Sequence, residues 1–253
     1  MFADSHAHLT CDPVYENIDG ILDRAKAEKV DTIINITIDK PSLERALSFT
    51  TSLVTLKHAG ATTPHDVEKD GERFFPAFEK AAQEGKLVAV GETGLDYYYE
   101  HSNIDAQQEY FIKYLQLAKE TELPVIIHCR DAFKDFFRIV DEYYNKESVL
   151  MHCFTGNKQE ALEAIGRGFT ISFSGILTFK RSEELREIAK LVPLEKTLIE
   201  TDTPYLAPQS KRGKQNEPSF LPETAECLAT LHEKPLEEIA SITRANTYRF
   251  FGM

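Results

Sequence analysis

The sequence has no run of 18 apolar residues, so no segment reads as a membrane span. Its opening, Met1-Phe2-Ala3-Asp4-Ser5-His6, has neither a basic nor an apolar stretch, and a secretory leader is not expected. It has no C-x-x-C pair. Cys11, Cys129, Cys153 and Cys227 are scattered and read as buried or free thiols of a reducing, cytoplasmic compartment. It has no basic excess. The net charge of −12 speaks against an extended duplex footprint and leaves room for a small or end-on contact. It has no linker, repeat or low-complexity segment, so residues 1–253 are expected to form one domain. What is present is an ordinary globular composition, 42% hydrophobic and 28% charged, which argues against disorder. A chain this long buries roughly three quarters of its unfolded surface and needs no disulfide or structural metal to fold.

Eight short runs rich in Val, Ile, Thr and Phe alternate with helical patterns. They are Met1–His8, Asp31–Thr37, Leu53–Ala59, Leu87–Glu92, Pro124–His128, Val149–Phe154, Phe169–Ser174 and Thr197–Asp202. Helical spacing appears between them, as in Ile104–Thr121, Asp131–Tyr144, Gln159–Arg167 and Ser182–Leu191, with Asp131 and Ser182 as expected N-caps. Two more helical stretches, Leu221–Leu231 and Leu236–Phe250, close the chain. Strict alternation implies parallel strands with right-handed crossovers. A closed barrel and an open doubly wound sheet both fit; the count of eight and the length favour a (β/α)8 TIM barrel.

Ligand-type side chains collect at the ends of these runs. His6 and His8 end the first, Glu92 the fourth, His128 the fifth, His152 the sixth and Asp202 the eighth. Alternate residues of a strand face one way, so an H-x-H pair aims two imidazoles at one point. In TIM-barrel enzymes the strand C-termini form the active face. A single strand-end histidine is more often a hydrogen-bonded core residue. Six polar side chains ending five buried strands are costly to desolvate without a shared partner, and cations satisfy them together. Six ligands exceed what one catalytic ion needs and suit two divalent ions, with Glu92 the expected bridge. The mixed donor set leaves Mg, Mn and Zn open. Glu200, two residues before Asp202, shares its face and reads as a supporting or additional ligand. His58 reads as structural, and His101 and His232 as surface residues. His65, after Pro64 on the active rim, reads as a substrate-positioning or acid residue, and turn chemistry explains it equally well.

In order along the chain stand D-S-H-A-H-L at 4–9, G-E-T-G-L-D-Y at 91–97, P-V-I-I-H-C-R at 124–130 and H-C-F-T-G at 152–156. F-S-G-I follows at 173–176, then E-T-D-T-P-Y-L at 200–206, R-G-K-Q-N-E-P at 212–218, and Asn246 through Phe251-Gly252. This ordered set, spanning essentially the whole chain, resembles the TatD-type metal-dependent deoxyribonuclease family. The resemblance implies a TIM barrel of the amidohydrolase type with divalent metals. It carries metal ligation onto His6, His8, Glu92, His128, His152 and Asp202. One departure is Thr63, which stands where members often have a histidine before the Pro-His pair; His65 is retained.

The resemblance further implies a deoxyribonuclease, often 3′-5′ exonucleolytic, acting on DNA ends or single strands through a metal-activated water. No obligate protein partner is evident. Asp202 is the expected proton acceptor and, with Glu92, the expected catalytic pair. Arg212, Lys214 and Asn216 are expected to grip flanking phosphates, although the Lys211–Lys214 cluster also reads as a solvated turn. Tyr205 fits stacking on a base and packing in a core equally well. Hydrolysis of D-aminoacyl-tRNA, or of a small amide or ester, would use the same centre, because fold and site do not fix the substrate. A catalytically silent barrel would not need six intact ligands.

Overall fold

The computed structural model describes residues 1–99 and 101–253. Eight parallel strands follow one another around a sheet in chain order. They are β1 Phe2–Ala7, β2 Val30–Thr37, β3 Thr55–Gly60, β4 Ala89–Asp96, β5 Val125–Arg130, β6 Val149–Met151, β7 Thr170–Phe173 and β8 Thr197–Ile199. The sheet closes where the segment after β8 meets β1. Ala7 bridges Thr203, Asp202 N–H donates to the His6 carbonyl at 2.9 Å, and His8 N–H donates to the Thr203 carbonyl at 2.8 Å. Helices α1 Ile18–Ala27, α2 Lys40–Ser48, α3 Val67–Gln83, α4 Ile104–Glu120, α5 Phe133–Tyr143, α6 Lys158–Gly166 and α7 Glu183–Leu191 form the crossovers. Helices α8 Leu221–Leu231 and α9 Leu236–Phe250 follow β8. The expected TIM barrel is the observed one. No helix among the described residues is long and apolar enough to cross a membrane, and all four cysteines are unpaired.

Helix starts differ from expectation in two places. Asp131 does not cap α5: it takes a left-handed conformation (φ 54°), the helix begins two residues later, and no side-chain cap forms. Ser182 holds the N-cap position of α7 without a capping hydrogen bond. The effective caps are the Asp39 and Asn157 capping boxes and Asn103, which accepts from Ala106 N–H at 2.8 Å.

The period-two alternation of each strand divides the core. Ile34, Ile36, Ala59, Ala89, Ile126, Leu150 and Leu198 fill the barrel interior, joined by Phe251. Val88, just before β4, packs against this cluster, so the C-terminus closes the end where the strands begin. Outward residues such as Ile33, Val90, Val125, Ile127 and Val149 pack under the helices. His58 faces outward beside Asn35, whose amide nitrogen lies 3.3 Å from its Nδ1. Burial and the neighbouring Lys57 charge push its pKa down to about 4, so it stays a neutral packing residue.

The same phase aims the site. With Ile126, Leu150 and Leu198 inside, His128, His152, Glu200 and Asp202 continue inward along their strands. Glu92, three residues after inward Ala89, is out of phase. The β4–β5 register shifts between Val90 and Thr93, and Gly91 there has φ 145°. A Cβ on Gly91 would lie 2.4 Å from the Ile126 carbonyl. Glycine therefore allows the irregularity that turns Glu92 inward. Expected to end β4, Glu92 instead lies inside it, and the strand runs on to Asp96.

Candidate metal centre

Two donor sets meet at Glu92. In the first, His6 Nε2 and His8 Nε2 lie 3.2 Å apart. They sit 3.5 and 3.6 Å from Glu92 Oε2, and 3.6 and 3.5 Å from Asp202 Oδ1. Ligand atoms held 2.0–2.2 Å from a tetrahedral ion stand about 3.4 Å from one another, so these spacings fit a divalent cation. The ring nitrogens left over, His6 Nδ1 and His8 Nδ1, are buried with no hydrogen-bond partner. The polar contacts of both rings therefore lie on the Nε2 side, where the four donor atoms face one another at spacings a cation would fill. Asp4 ties this set to the seam. Its buried carboxylate accepts from His6 N–H, Thr201 N–H and the Thr201 hydroxyl. Burial pushes its pKa up to about 7 against those bonds.

In the second set, His128 Nδ1 and His152 Nε2 each lie 2.9 Å from Glu92 Oε1. The far nitrogen of each ring has its own carboxylate. His128 Nε2 is 2.8 Å from Asp96 Oδ2, and His152 Nδ1 is 3.2 Å from Glu200 Oε1. Glu200 is fixed in turn by the Ser172 hydroxyl at 2.5 Å. Such outer carboxylates hold the proton on the far nitrogen and leave the near lone pair for a cation. The structure thus brings together all six side chains expected to converge, in buried clusters suited to divalent metal binding.

Without a cation His8, His128 and His152 favour the proton, whereas Glu92 and His6 do not. For Glu92, burial works to raise the pKa, but the His152 charge and hydrogen bonds from His128, His152 and His6 hold it well below the usual range. Burial works to lower His8, yet Asp202 and Cys11 hold it up at about 10. Burial is likewise overcome at His152, raised well above normal by Glu92 and Glu200, and at His128, raised by Asp96 and Glu92. His6 moves the other way, lowered by burial and by His152. Groups with raised pKa are protonated below it, and a cation needs the lone pair that the proton occupies. Metal affinity is therefore expected to rise with pH, about tenfold per unit for each proton displaced, up to the value near 10 held by His8. Titrating Mn²⁺ or Zn²⁺ at pH 7 in buffers of differing ionisation heat should register at least one proton released; a pH-independent affinity would contradict this.

The centre opens into a cavity of about 440 Å³ whose lining includes His8, His65, Glu92, His128, Arg130, His152, Asp202 and Tyr205. His65 Nε2 lies 2.9 Å from Asp96 Oδ2, the oxygen that also meets His128. Thr63, at the departure from the family pattern, lines the cavity and donates its hydroxyl to Asp66 at 3.1 Å. Tyr205 is 60% exposed, with its ring 6.1 Å from His8, which rules out the core-packing reading. Asn216 is a correction. It is buried, and its amide donates to the carbonyls of Thr201 at 2.7 Å and Tyr205 at 2.6 Å, so it clamps the loop after β8 and has no donor left for a phosphate. Arg212 and Lys214 are exposed but do not line the cavity, and Arg212 stacks over Phe179. Two residues went unassigned in the sequence. Asp96 shares its phase with Glu92 and was signalled by that spacing. Arg130 carries no such signal.

The TatD related DNase family model matches residues 3–252. The uncharacterized metal-dependent hydrolase YabD of Bacillus subtilis is 40% identical, with 99% of each chain covered. The 3′-5′ ssDNA/RNA exonuclease TatD of Citrobacter rodentium is 31% identical over 99% of this chain and 97% of its own. Among solved structures, the TatD homologue YjjV of Escherichia coli superposes with a TM-score of 0.92 at 28% identity, covering 100% of this chain and 98% of its own. With that barrel, those two donor sets and these relatives, the chain belongs to the TatD family of metal-dependent hydrolases.

Proposed function

We propose that the chain is a metal-dependent deoxyribonuclease that shortens DNA from a 3′ end. The observation that carries the hydrolytic reading is Glu92. One buried carboxylate offers an oxygen to each of two donor sets, at the floor of an open cavity. The nuclease reading draws on the family and on the exonuclease relative from Citrobacter rodentium.

His6, His8, Glu92, His128, His152 and Asp202 would hold two divalent ions, of Mg, Mn or Zn type. Such ions, when bound, supply Lewis acidity and lower the pKa of water. The chain's own groups do the rest. Asp202, on the seam between β8 and β1, accepts the proton of the attacking water. Asp96 and Glu200 keep His128 and His152 in one tautomer. His65, steadied by Asp96 at the cavity wall, positions the substrate. Arg130 faces the phosphate from the same wall, and Arg212 and Lys214 lie further out along the strand. Water forms its bond to phosphorus as the P–O bond to the departing nucleoside's oxygen breaks, and that oxygen leaves as a hydroxyl after taking a proton from solvent.

One observation favours a second reading. Among the described residues lining the cavity, Arg130 is the one Lys or Arg side chain, a sparse cationic lining for a polyanion. A D-aminoacyl ester of tRNA, or a small amide or ester, needs fewer phosphate contacts. The test is to strip the protein, restore it with Mg²⁺, Mn²⁺ or Zn²⁺, and add 5′-labelled single-stranded and duplex DNA. A metal-dependent ladder receding from the 3′ end is expected. Intact DNA in metal-loaded protein that turns over an aminoacyl ester would transfer the assignment to the second reading.

A further inference from the structure

Of the ten tyrosines in the sequence, three are strongly exposed: Tyr98 at 57%, Tyr99 at 49% and Tyr205 at 60%. Exposed aromatic rings cost hydration free energy, and a cluster of them marks a contact surface. Tyr99 and Tyr205 line the catalytic cavity, and Tyr98 stands next to Tyr99. Tyr205 stands on one side above His8. On the other, Arg130 of β5 lays its guanidinium 4.0 Å from the centre of the Tyr98 ring and 4.8 Å from that of Tyr99. The two rings meet edge to face at 4.9 Å. Tyr99 and Arg130 themselves line the cavity.

This wall is built rather than incidental. The backbone N–H groups of Tyr98 and Tyr99 donate to Asp96 Oδ1 at 3.0 and 2.9 Å. The other oxygen of Asp96 meets His128 and His65. One buried carboxylate therefore fixes the tyrosine wall and a member of the donor set in the same frame. Its counterpart Tyr205 is anchored likewise, since its N–H donates to the Asp202 carbonyl at 2.8 Å.

We infer that Tyr98, Tyr99 and Arg130 form a nucleotide subsite beside the reacting phosphate, which takes an unstacked base on the tyrosine rings and its phosphate on the guanidinium. This rests on the nuclease reading above and assigns the residues that would contact the base and phosphate next to the cleaved bond. Stacking on an aromatic ring is tolerant of sequence because every base has a π-face. Guanidinium planes stack on aromatics and still present N–H donors to phosphate. A paired duplex keeps its bases stacked on one another and offers no free face to either wall. Discrimination against duplex follows from this geometry, without base-specific contacts.

The metal-loaded full-length protein tests this with a single-stranded 12-mer, the same 12-mer in duplex, and a dialkyl phosphodiester, which has neither a base nor an aromatic ring. The readout is kcat/KM on the single strand divided by kcat/KM on the base-free ester, which cancels any disturbance of the metal centre. Tyr98→Ala and Tyr99→Ala should each lower that ratio about tenfold through KM, and narrow the preference for single strand over duplex. Tyr98→Phe and Tyr99→Phe should restore it, because the ring is kept. An unchanged ratio in both alanine variants, with wild-type protein cutting the single strand, overturns the subsite and leaves the nuclease reading standing. Wild-type protein that hydrolyses the base-free ester and no oligonucleotide overturns the nuclease reading and the subsite with it.

Discussion

Glu92→Gln should lower kcat/KM by about three orders of magnitude or more and reduce bound metal, while the barrel stays folded. The size of the effect follows from how many partners one carboxylate serves. Its Oε1 is 2.9 Å from both His128 Nδ1 and His152 Nε2, and its Oε2 is 3.5 and 3.6 Å from His6 and His8. Glutamine keeps the volume, so packing in the barrel mouth survives. It replaces one anionic oxygen with an NH₂ group, which has no lone pair to offer either a cation or an imidazole nitrogen. Whichever way the amide is turned, one donor set loses its shared ligand and both lose the charge. Metal analysis after dialysis, steady-state kinetics and thermal unfolding separate the outcomes. Near-normal turnover in this variant would remove Glu92 from the centre.

Much of this site was legible because strands fix side-chain direction with a period of two. His6 on β1 and His8 just after it, His128 on β5, His152 after β6 and Asp202 after β8 all follow from inward residues at matching phase. Glu92 looked equally regular in the sequence as the last residue of an apolar run. Its true position, inside a strand that continues to Asp96, depends on an irregularity in the β4–β5 pairing that apolar patterning does not encode. The substrate side was less legible. Asn216 sits in a basic, loop-like stretch and reads as a phosphate contact. Only the folded loop shows that its amide is consumed by two carbonyls. Arg130 was one cation among many, and its stacking on Tyr98 and Tyr99 comes from two strands brought side by side. Contacts of this kind belong to tertiary placement, whereas the donors other than Glu92 are written into strand ends.

Gly94→Ala should cost roughly 3–5 kcal/mol of stability, the sum of a strained backbone and a steric overlap. Gly94 lies directly across from His128 in the β4–β5 pairing, with φ 139°. A Cβ there would stand 2.0 Å from the His128 carbonyl oxygen and 3.0 Å from its carbonyl carbon, with no flexible side chain to give way. Relief requires β4 and β5 to part, and both carry the site: Glu92 and the supporting Asp96 on one strand, His128 on the other. The Asp96–His128 bond of 2.8 Å and the Glu92–His128 contact of 2.9 Å span the same gap. Thermal unfolding of the metal-free protein should therefore drop by roughly 10 °C, given the entropy of unfolding of a domain this size. Metal affinity should fall with it, since coordination stabilises the native state in which those strands are joined. Gly85→Ala is the control for a positive φ without a clash. It also has positive φ, 66°, but a Cβ there meets nothing within 4 Å. It reports the left-handed backbone penalty alone, roughly 1–2 kcal/mol. Equal losses in the two variants would mean that the close approach of β4 to β5 contributes nothing, and that the donor set is not held together through that seam.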